Sequence, residues 1–250
     1  MMLLLIDAGN TRVKWALAAP GAPAGEWLSV GAALHAELDA AAAGWHGQGV
    51  TNALVSNVAG AAVRARLADL LQPIATEWFA SSAERAGLVN GYREPERLGC
   101  DRFAAAIGAR ALAPGQALVV ATCGTATTVD AVSNDGRFIG GMILPGLALM
   151  AGALASNTAQ LPQALPGAAP PPQFANNTHD AIVSGCLSAQ AGAIERAVAA
   201  HDGALCILSG GAAPYIAPAL KCAYQLADNI VLVGLHAVAL TQTPMGDTTC

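Results

Sequence analysis

The feature that most constrains the fold of this 250-residue chain is a strand–turn–strand pattern that occurs twice. Leu3-Leu4-Leu5-Ile6 runs into Asp7-Ala8-Gly9-Asn10, and the residues from Thr11 to Leu17 then alternate polar with apolar. Ala117-Leu118-Val119-Val120-Ala121 runs into Thr122-Cys123-Gly124-Thr125, and a second alternating stretch follows from Ala126 to Val132. An apolar strand that enters a Gly-containing polar turn and leaves as an alternating strand predicts a β-hairpin. Two such hairpins are explained most economically by an internal repeat whose halves meet near residue 114.

Between and after the hairpins the pattern alternates helix and strand. Helices are predicted around Leu34 to Ala43 and Val63 to Leu71, and from Asp101 to about Leu112, where Pro114-Gly115 stops the run. Further helices are expected from Thr178 to Ala200 and after Val233. Ala53-Leu54-Val55 and Leu205 to Leu208 read as short strands, and Ile230 to Val233 suits a buried strand as well. Leu165 to Phe174, with four prolines, reads as a surface loop.

Composition narrows the class. The chain is 54% hydrophobic but only 4% aromatic, so packing must rely on closely approaching Ala- and Gly-rich elements. Mean hydropathy is +0.46, yet the apolar runs fall short of the roughly 20 residues that a membrane helix needs. The first residues lack a basic segment and meet Asp7 at once, unlike a signal peptide. A soluble cytoplasmic protein with no membrane partner is expected. The net charge is −5 and the 12 Lys and Arg residues are scattered, which argues against nucleic acid as a partner. Six cysteines without a CxxC pair argue against a disulfide framework or a zinc site. His46, His179, His201 and His236 show no ligand-like spacing.

The usual nucleotide-binding signatures are missing. Neither lysine, Lys14 or Lys221, follows a glycine as a P-loop requires, and there is no GxGxxG between strand and helix. The hairpin turns offer another device. Gly9-Asn10-Thr11 and Gly124-Thr125-Ala126-Thr127 can aim backbone N–H groups and small donors at an anion, or they are simply tight turns. Asp7 closes an apolar strand, where an unpaired carboxylate is costly. It either orients Mg²⁺ through water or closes the hairpin as an Asx-turn acceptor. Asp101, in Leu98-Gly99-Cys100-Asp101-Arg102, is either a helix N-cap or a base that takes the proton of an attacking hydroxyl. Arg102 could hold a carboxylate or steady a phosphoryl group. Small residues at Ala181, Gly185, Ala189 and Gly192 give one helix face that permits close approach. Packing within the chain is the default reading, and a twin subunit is the other.

Taken in order, these segments resemble the type III pantothenate kinases. The resemblance rests on Asp7-Ala8-Gly9-Asn10-Thr11, Gly91-Tyr92, Leu98 to Arg102 and Cys123 to Thr127. It continues through Gly140 to Gly146, Thr158 to Pro162, Asn177-Thr178 with Gly185, and Ser209-Gly210-Gly211. It implies an α/β fold of two ribonuclease-H-like (actin-like ATPase) domains, mixed sheets flanked by helices, with an active-site cleft between them. The expected division is 1–114 and 115–250. It implies ATP-dependent phosphorylation of pantothenate, at the start of coenzyme A synthesis, by a homodimer. ATP phosphates would meet Asp7, Ala8, Gly9, Asn10, Thr11, Arg12, Val13 and Lys14, with Gly124 and Thr125 of the second hairpin, and Mg²⁺ would be held by Asp7 through water. Asp101 would be the proton acceptor. Tyr92, Gly99, Cys100, Asp101, Arg102 and Thr178 would hold pantothenate. The family commonly places an Asp two residues before the second hairpin's Gly, as a ligand for K⁺ or ammonium. Thr122 stands there in this chain, and its neutral hydroxyl is a weaker ligand, so dependence on a monovalent cation is expected to be reduced. The rival readings are a sugar kinase of the same superfamily, whose zinc-binding members need a Cys/His cluster absent here, and a nucleotide-binding regulator of transcription.

Overall fold

The computed structural model describes residues 2–46, 49–167 and 169–242. The chain divides into two compact units, Met1–Pro114 with Asn229–Cys250, and Gly115–Asp228.

The first unit opens with strands β1 (Met2–Ala8) and β2 (Arg12–Ala18), which form the first predicted hairpin, followed by β3 (Ser29–Leu34). A short helix α1 (Leu38–Ala42) leads to β4 (Val50–Asn57), helix α2 (Ala61–Leu70) and β5 (Ala75–Trp78). The sheet order is β3-β2-β1-β4-β5, with antiparallel pairing on the β2 side of β1 and parallel pairing on the β4 side. Alternation along β1 sends Leu4, Ile6 and Ala8 into a core with Leu38, Trp45, Val55 and Leu67, and sends Leu5 and Asp7 to the opposite face. Leu5 is also fully buried. The strand is therefore covered on both sides, which explains its unbroken apolar run. A small hairpin, β6 (Glu84–Arg85) and β7 (Leu88–Asn90), precedes helix α3 (Cys100–Leu112).

The second unit repeats the plan. Strands β8 (Leu118–Cys123), β9 (Ala126–Val132) and β10 (Arg137–Pro145) are followed by helices α4 (Leu147–Asn157) and α5 (Thr178–Ala200). Strand β11 (Leu205–Ser209), the short helix α6 (Ala213–Ile216) and β12 (Tyr224–Leu226) complete the unit. These strands lie in the order β12-β11-β8-β9-β10. Pairing is parallel from β8 to β12 and antiparallel from β8 to β10. Strand for strand this is the arrangement of the first unit, so the repeat suggested by the two hairpins extends to the whole topology. In register, Asp7 lies opposite Lys14 and Ser56, while Thr122 lies opposite Thr128 and Ser209.

The last helix, α7 (Ile230–Gln242), differs from expectation twice. Ile230 to Val233 forms its first turn and not a strand, because four apolar residues carry no period that separates the two. The helix also belongs with the first unit, although the sequence places 115–250 together. It packs on α3 through backbone. A Cβ built at Gly234 would lie 1.8 Å from the Ala104 carbonyl oxygen, and one at Gly108 2.4 Å from that of Ile230. Leu232, Leu235 and Val238 are fully buried. Only α1, preceded by a 3-10 turn over His35–Glu37, realises the helix expected from Leu34 to Ala43. Among the described residues no helix is long and apolar enough to cross a membrane.

Candidate active site

In the first unit the site begins at the end of β1. The Gly9 N–H donates to the Arg12 carbonyl at 3.0 Å and closes the turn. The Gly9 carbonyl accepts from His35 Nε2 at 2.9 Å. Asn10, Thr11 and Arg12 are exposed around this fixed turn. His35 was missed at the sequence level, since a lone histidine after an unrecognised strand carries no signal.

Asp7 faces α3. Ser56, its neighbour on β4, is fully buried, and Ser56 Oγ lies 3.4 Å from Cys100 Sγ. That thiol also reaches the Asn57 carbonyl at 3.6 Å. These contacts fasten the start of α3 to the end of β4, and so bring Asp101 toward Asp7. Burial pushes the Asp7 carboxyl up to about 7, with the Lys14 ammonium opposing the shift and the Asp101 carboxylate adding to it. Burial also raises Asp101, against the Arg102 N–H and the Arg102 charge.

Asp101 is not the N-cap. Gly99 holds that position without a side-chain cap, and Asp101 sits in the first turn, where its Oδ1 accepts from the Arg102 N–H at 2.8 Å. It still satisfies one free donor of the helix terminus, but the carboxylate is held beside Gly99 instead of across the turn. A Cβ at Gly99 would come within 2.7 Å of Asp101 Oδ1. Glycine there leaves the carboxylate its place. Arg102 is only 7% exposed. Its guanidinium lies over the Tyr92 ring at 5.8 Å and donates to the Tyr92 hydroxyl at 3.5 Å.

Asn90, buried and also missed by the sequence reading, organises the turn that carries Tyr92. Its Oδ1 accepts from the Tyr92 N–H at 3.0 Å, and its Nδ2 donates to the carbonyls of Ser82 and Pro95. The first unit thus gathers Asp7, Lys14, Tyr92, Asp101 and Arg102 on one framework.

In the second unit the β8–β9 turn exposes Gly124, Thr125 and Ala126, closed by the Gly124 N–H on the Ala126 carbonyl. Two glycine segments press on it. Gly146 donates to the Thr125 carbonyl at 2.9 Å, and a Cβ there would lie 2.2 Å from the Gly124 oxygen. Gly210, at φ +98°, would bring a Cβ within 2.3 Å of the Cys123 oxygen. Thr122 Oγ1 is buried and has no hydrogen-bond partner among the described residues.

Thr178 begins α5, behind an Asn177 cap whose Oδ1 accepts from the Asp180 N–H at 2.9 Å. It lines a groove of about 850 Å³ with Met150, Leu154, Ala181 and Gly185. No residue of the 124–126 turn lines that groove. Ala181, Gly185, Ala189 and Gly192 are all exposed, and a Cβ at Gly185 or Gly192 would meet nothing within 4 Å. The small-residue face is therefore not packed against the described residues, unlike the default expectation of packing within the chain. The five described cysteines are free thiols, and no cluster of three or more His, Cys, Asp or Glu occurs among the described residues.

Comparison with solved structures agrees with the repeated topology. A Campylobacter jejuni chain assigned to a Baf family of transcriptional activators superposes with a TM-score of 0.63 at 17% identity, covering 95% of this chain and 98% of that one. A Sinorhizobium meliloti chain assigned as a 2-dehydro-3-deoxygalactonokinase gives 0.59 at 15%, covering 97% and 100%. At these identities the likeness concerns fold alone, two units of mixed sheet flanked by helices. The sequence narrows the class. The type III pantothenate kinase profile matches residues 3–200. The Type III pantothenate kinase of Janthinobacterium sp. (strain Marseille) is 55% identical over 97% of this chain and 99% of its own length. The chain belongs to the type III pantothenate kinase family.

The raised Asp7 acid predicts a pH-dependent stability cost in the metal-free protein. Between about pH 4 and 7 the unfolded chain has released this proton while the folded protein retains it. Stability therefore falls as pH rises, and the penalty is complete above about 7. Asp7→Asn should match wild type near pH 4 and exceed it at pH 8 by about 1–3 kcal/mol. Urea unfolding with chelator present reads the difference, and a pH-independent difference would show that the carboxylate carries no such burden.

Proposed function

We infer that this protein transfers the γ-phosphoryl group of ATP to the free hydroxyl of pantothenate, giving 4′-phosphopantothenate for coenzyme A synthesis. The observation that carries the reading is the family match over nearly the whole chain, with Asp7, Asp101 and Arg102 grouped on one unit. Asp101 accepts the hydroxyl proton as that oxygen attacks phosphorus and the bond to the ADP oxygen breaks. Its raised acid strengthens it as a base, and the Arg102 N–H keeps it oriented. Arg102 and Tyr92, with the Gly99–Cys100 turn, hold pantothenate, the guanidinium meeting its carboxylate. Thr178, at the start of α5, would supply a hydroxyl to the partner subunit's substrate site. The Asp7–Lys14 segment, with its exposed turn at Asn10 to Arg12, and the Gly124–Thr125 turn would each offer donors to phosphate oxygens.

The residues fit a divalent cation. Asp7 is a single half-buried carboxylate, burdened by desolvation and by Asp101, and Mg²⁺ is usually bound by one or two carboxylates with phosphate oxygens and water. Asp7 would hold it, and the ion would neutralise phosphate charge. ATP and its Mg²⁺ salt place the activity in the cytoplasm. The Campylobacter chain's assignment to transcription does not bear on activity at 17% identity.

Asp101→Asn should retain the fold and ATP binding while kcat falls by about 10²-fold or more. Coupled measurement of ADP release with and without pantothenate reads both points. Near-normal turnover, or ADP release independent of pantothenate, would overturn the assignment.

We place a reduced monovalent-cation requirement on Thr122. A carboxylate there would set a full charge beside the cation, whereas threonine offers only a dipole. Initial rates in Tris or sodium should rise less than about twofold on adding K⁺ at constant ionic strength. A strong saturable activation would mean that other ligands complete the site.

A homodimer is supported by the exposed small-residue face of α5 beside the groove that Thr178 lines. Gly185→Leu should weaken association and lower activity together, read by sedimentation velocity alongside assay. An active wild-type monomer would rule the dimer out.

A further inference from the structure

Gln190 lies on α5 and is fully buried in the second unit's core. An amide in such surroundings is costly unless its groups are paired. Here the pairing is lopsided. Nε2 donates to the Pro145 carbonyl at 2.7 Å and lies 3.1 Å from Met150 Sδ, while Oε1 has no hydrogen-bond partner among the described residues. An apolar residue of similar volume would spare the orphaned Oε1 but would leave the Pro145 carbonyl without this donor, so the amide is accounted for by its bond to Pro145.

What the amide holds is informative. Pro145 ends β10 and lies opposite Ala126, the first residue after the Gly124–Thr125 turn. The next residue, Gly146, donates to the Thr125 carbonyl and packs on Gly124 so closely that no side chain fits. The Pro145–Gly146 segment is thus gripped by Gln190 on one side and rests on the turn on the other. Removing the grip frees the segment on which the turn rests.

We propose that Gln190 is a positioning residue for nucleotide, fixing the Gly124–Thr125 turn through Pro145 and Gly146. It touches no substrate itself. The inference rests on the reading that this turn takes ATP phosphates. Met150, the second neighbour of the amide, lines the groove at the start of α5, so the same amide adjoins both features.

Gln190→Met removes the donor at similar volume, and Gln190→Asn keeps an amide too short to reach Pro145, so whichever variant folds reads the same bond. The expected result is a KM for ATP raised about three- to tenfold, the range of one lost hydrogen bond. The KM for pantothenate should stay within about twofold of wild type. An unchanged KM for ATP, equal rises in both KM values, or unfolding of both variants assigns Gln190 to packing and overturns the proposal. Thr125→Val separates the two failures. If it raises the KM for ATP while the Gln190 variants do not, only the positioning role fails. If neither does, the turn itself does not take the phosphates.

Discussion

The organisation of the first unit depends on keeping two carboxylates, Asp7 and Asp101, near each other and out of bulk water. Neither is comfortable there, since desolvation raises both acids and the Asp101 carboxylate adds to the rise at Asp7. The surrounding structure supplies the compensation. Asp7 is anchored by a strand buried on both faces and opposed by Lys14. Asp101 is held by a helix whose first turn is tied to β4 through Cys100, Ser56 and Asn57. Residual strain of this kind is relieved by positive charge and by a proton donor. A phosphoryl-transfer site brings both, as a divalent cation with nucleotide and as the hydroxyl of the acceptor.

The repeat shows how one topology was given two different jobs. Asp7, Lys14 and Ser56 occupy register positions matched in the second unit by Thr122, Thr128 and Ser209. The serines correspond, and the charged pair has become a pair of hydroxyls. Charge is concentrated on one hairpin, while the other is neutral and shaped by close backbone packing from Gly146 and Gly210. An anion can use both kinds of turn, one through a cation and one through N–H groups, without a P-loop in either.

Much of this was legible in the sequence because strands and turns announce themselves through period and glycine. The hairpins, α3, α5 and β11 follow that logic. Other features lie beyond it for definite reasons. Ile230 to Val233 is too short to show a period, and only the close approach of Gly234 to Ala104 reveals which unit α7 joins. Asp101 looks like a cap because it begins a helical pattern, yet the cap is Gly99. His35, Asn90 and Gln190 are single polar letters whose partners are backbone groups, far along the chain for His35 and Gln190 and within the irregular turn around Asn90 itself. Sequence spacing cannot encode such partners; Asp101 and Arg102 stand out at the start of a helical pattern, and Tyr92 comes with the family resemblance.

Helix α5 departs from ordinary amphipathic design on both sides, and that departure is itself an argument. A helix that served only to cover a sheet would bury its small apolar residues and turn its amide to water. This one buries Gln190 and leaves Ala181, Gly185, Ala189 and Gly192 exposed. The buried amide holds the segment on which the Gly124–Thr125 turn rests, and the exposed face adjoins the groove where Thr178 stands. A rigid helix carrying both features cannot shift at one without straining the other, because packed cores resist continuous deformation. The geometry of α5 therefore ties the surface that would receive a second subunit to the turn that would receive nucleotide, within a single element of one unit.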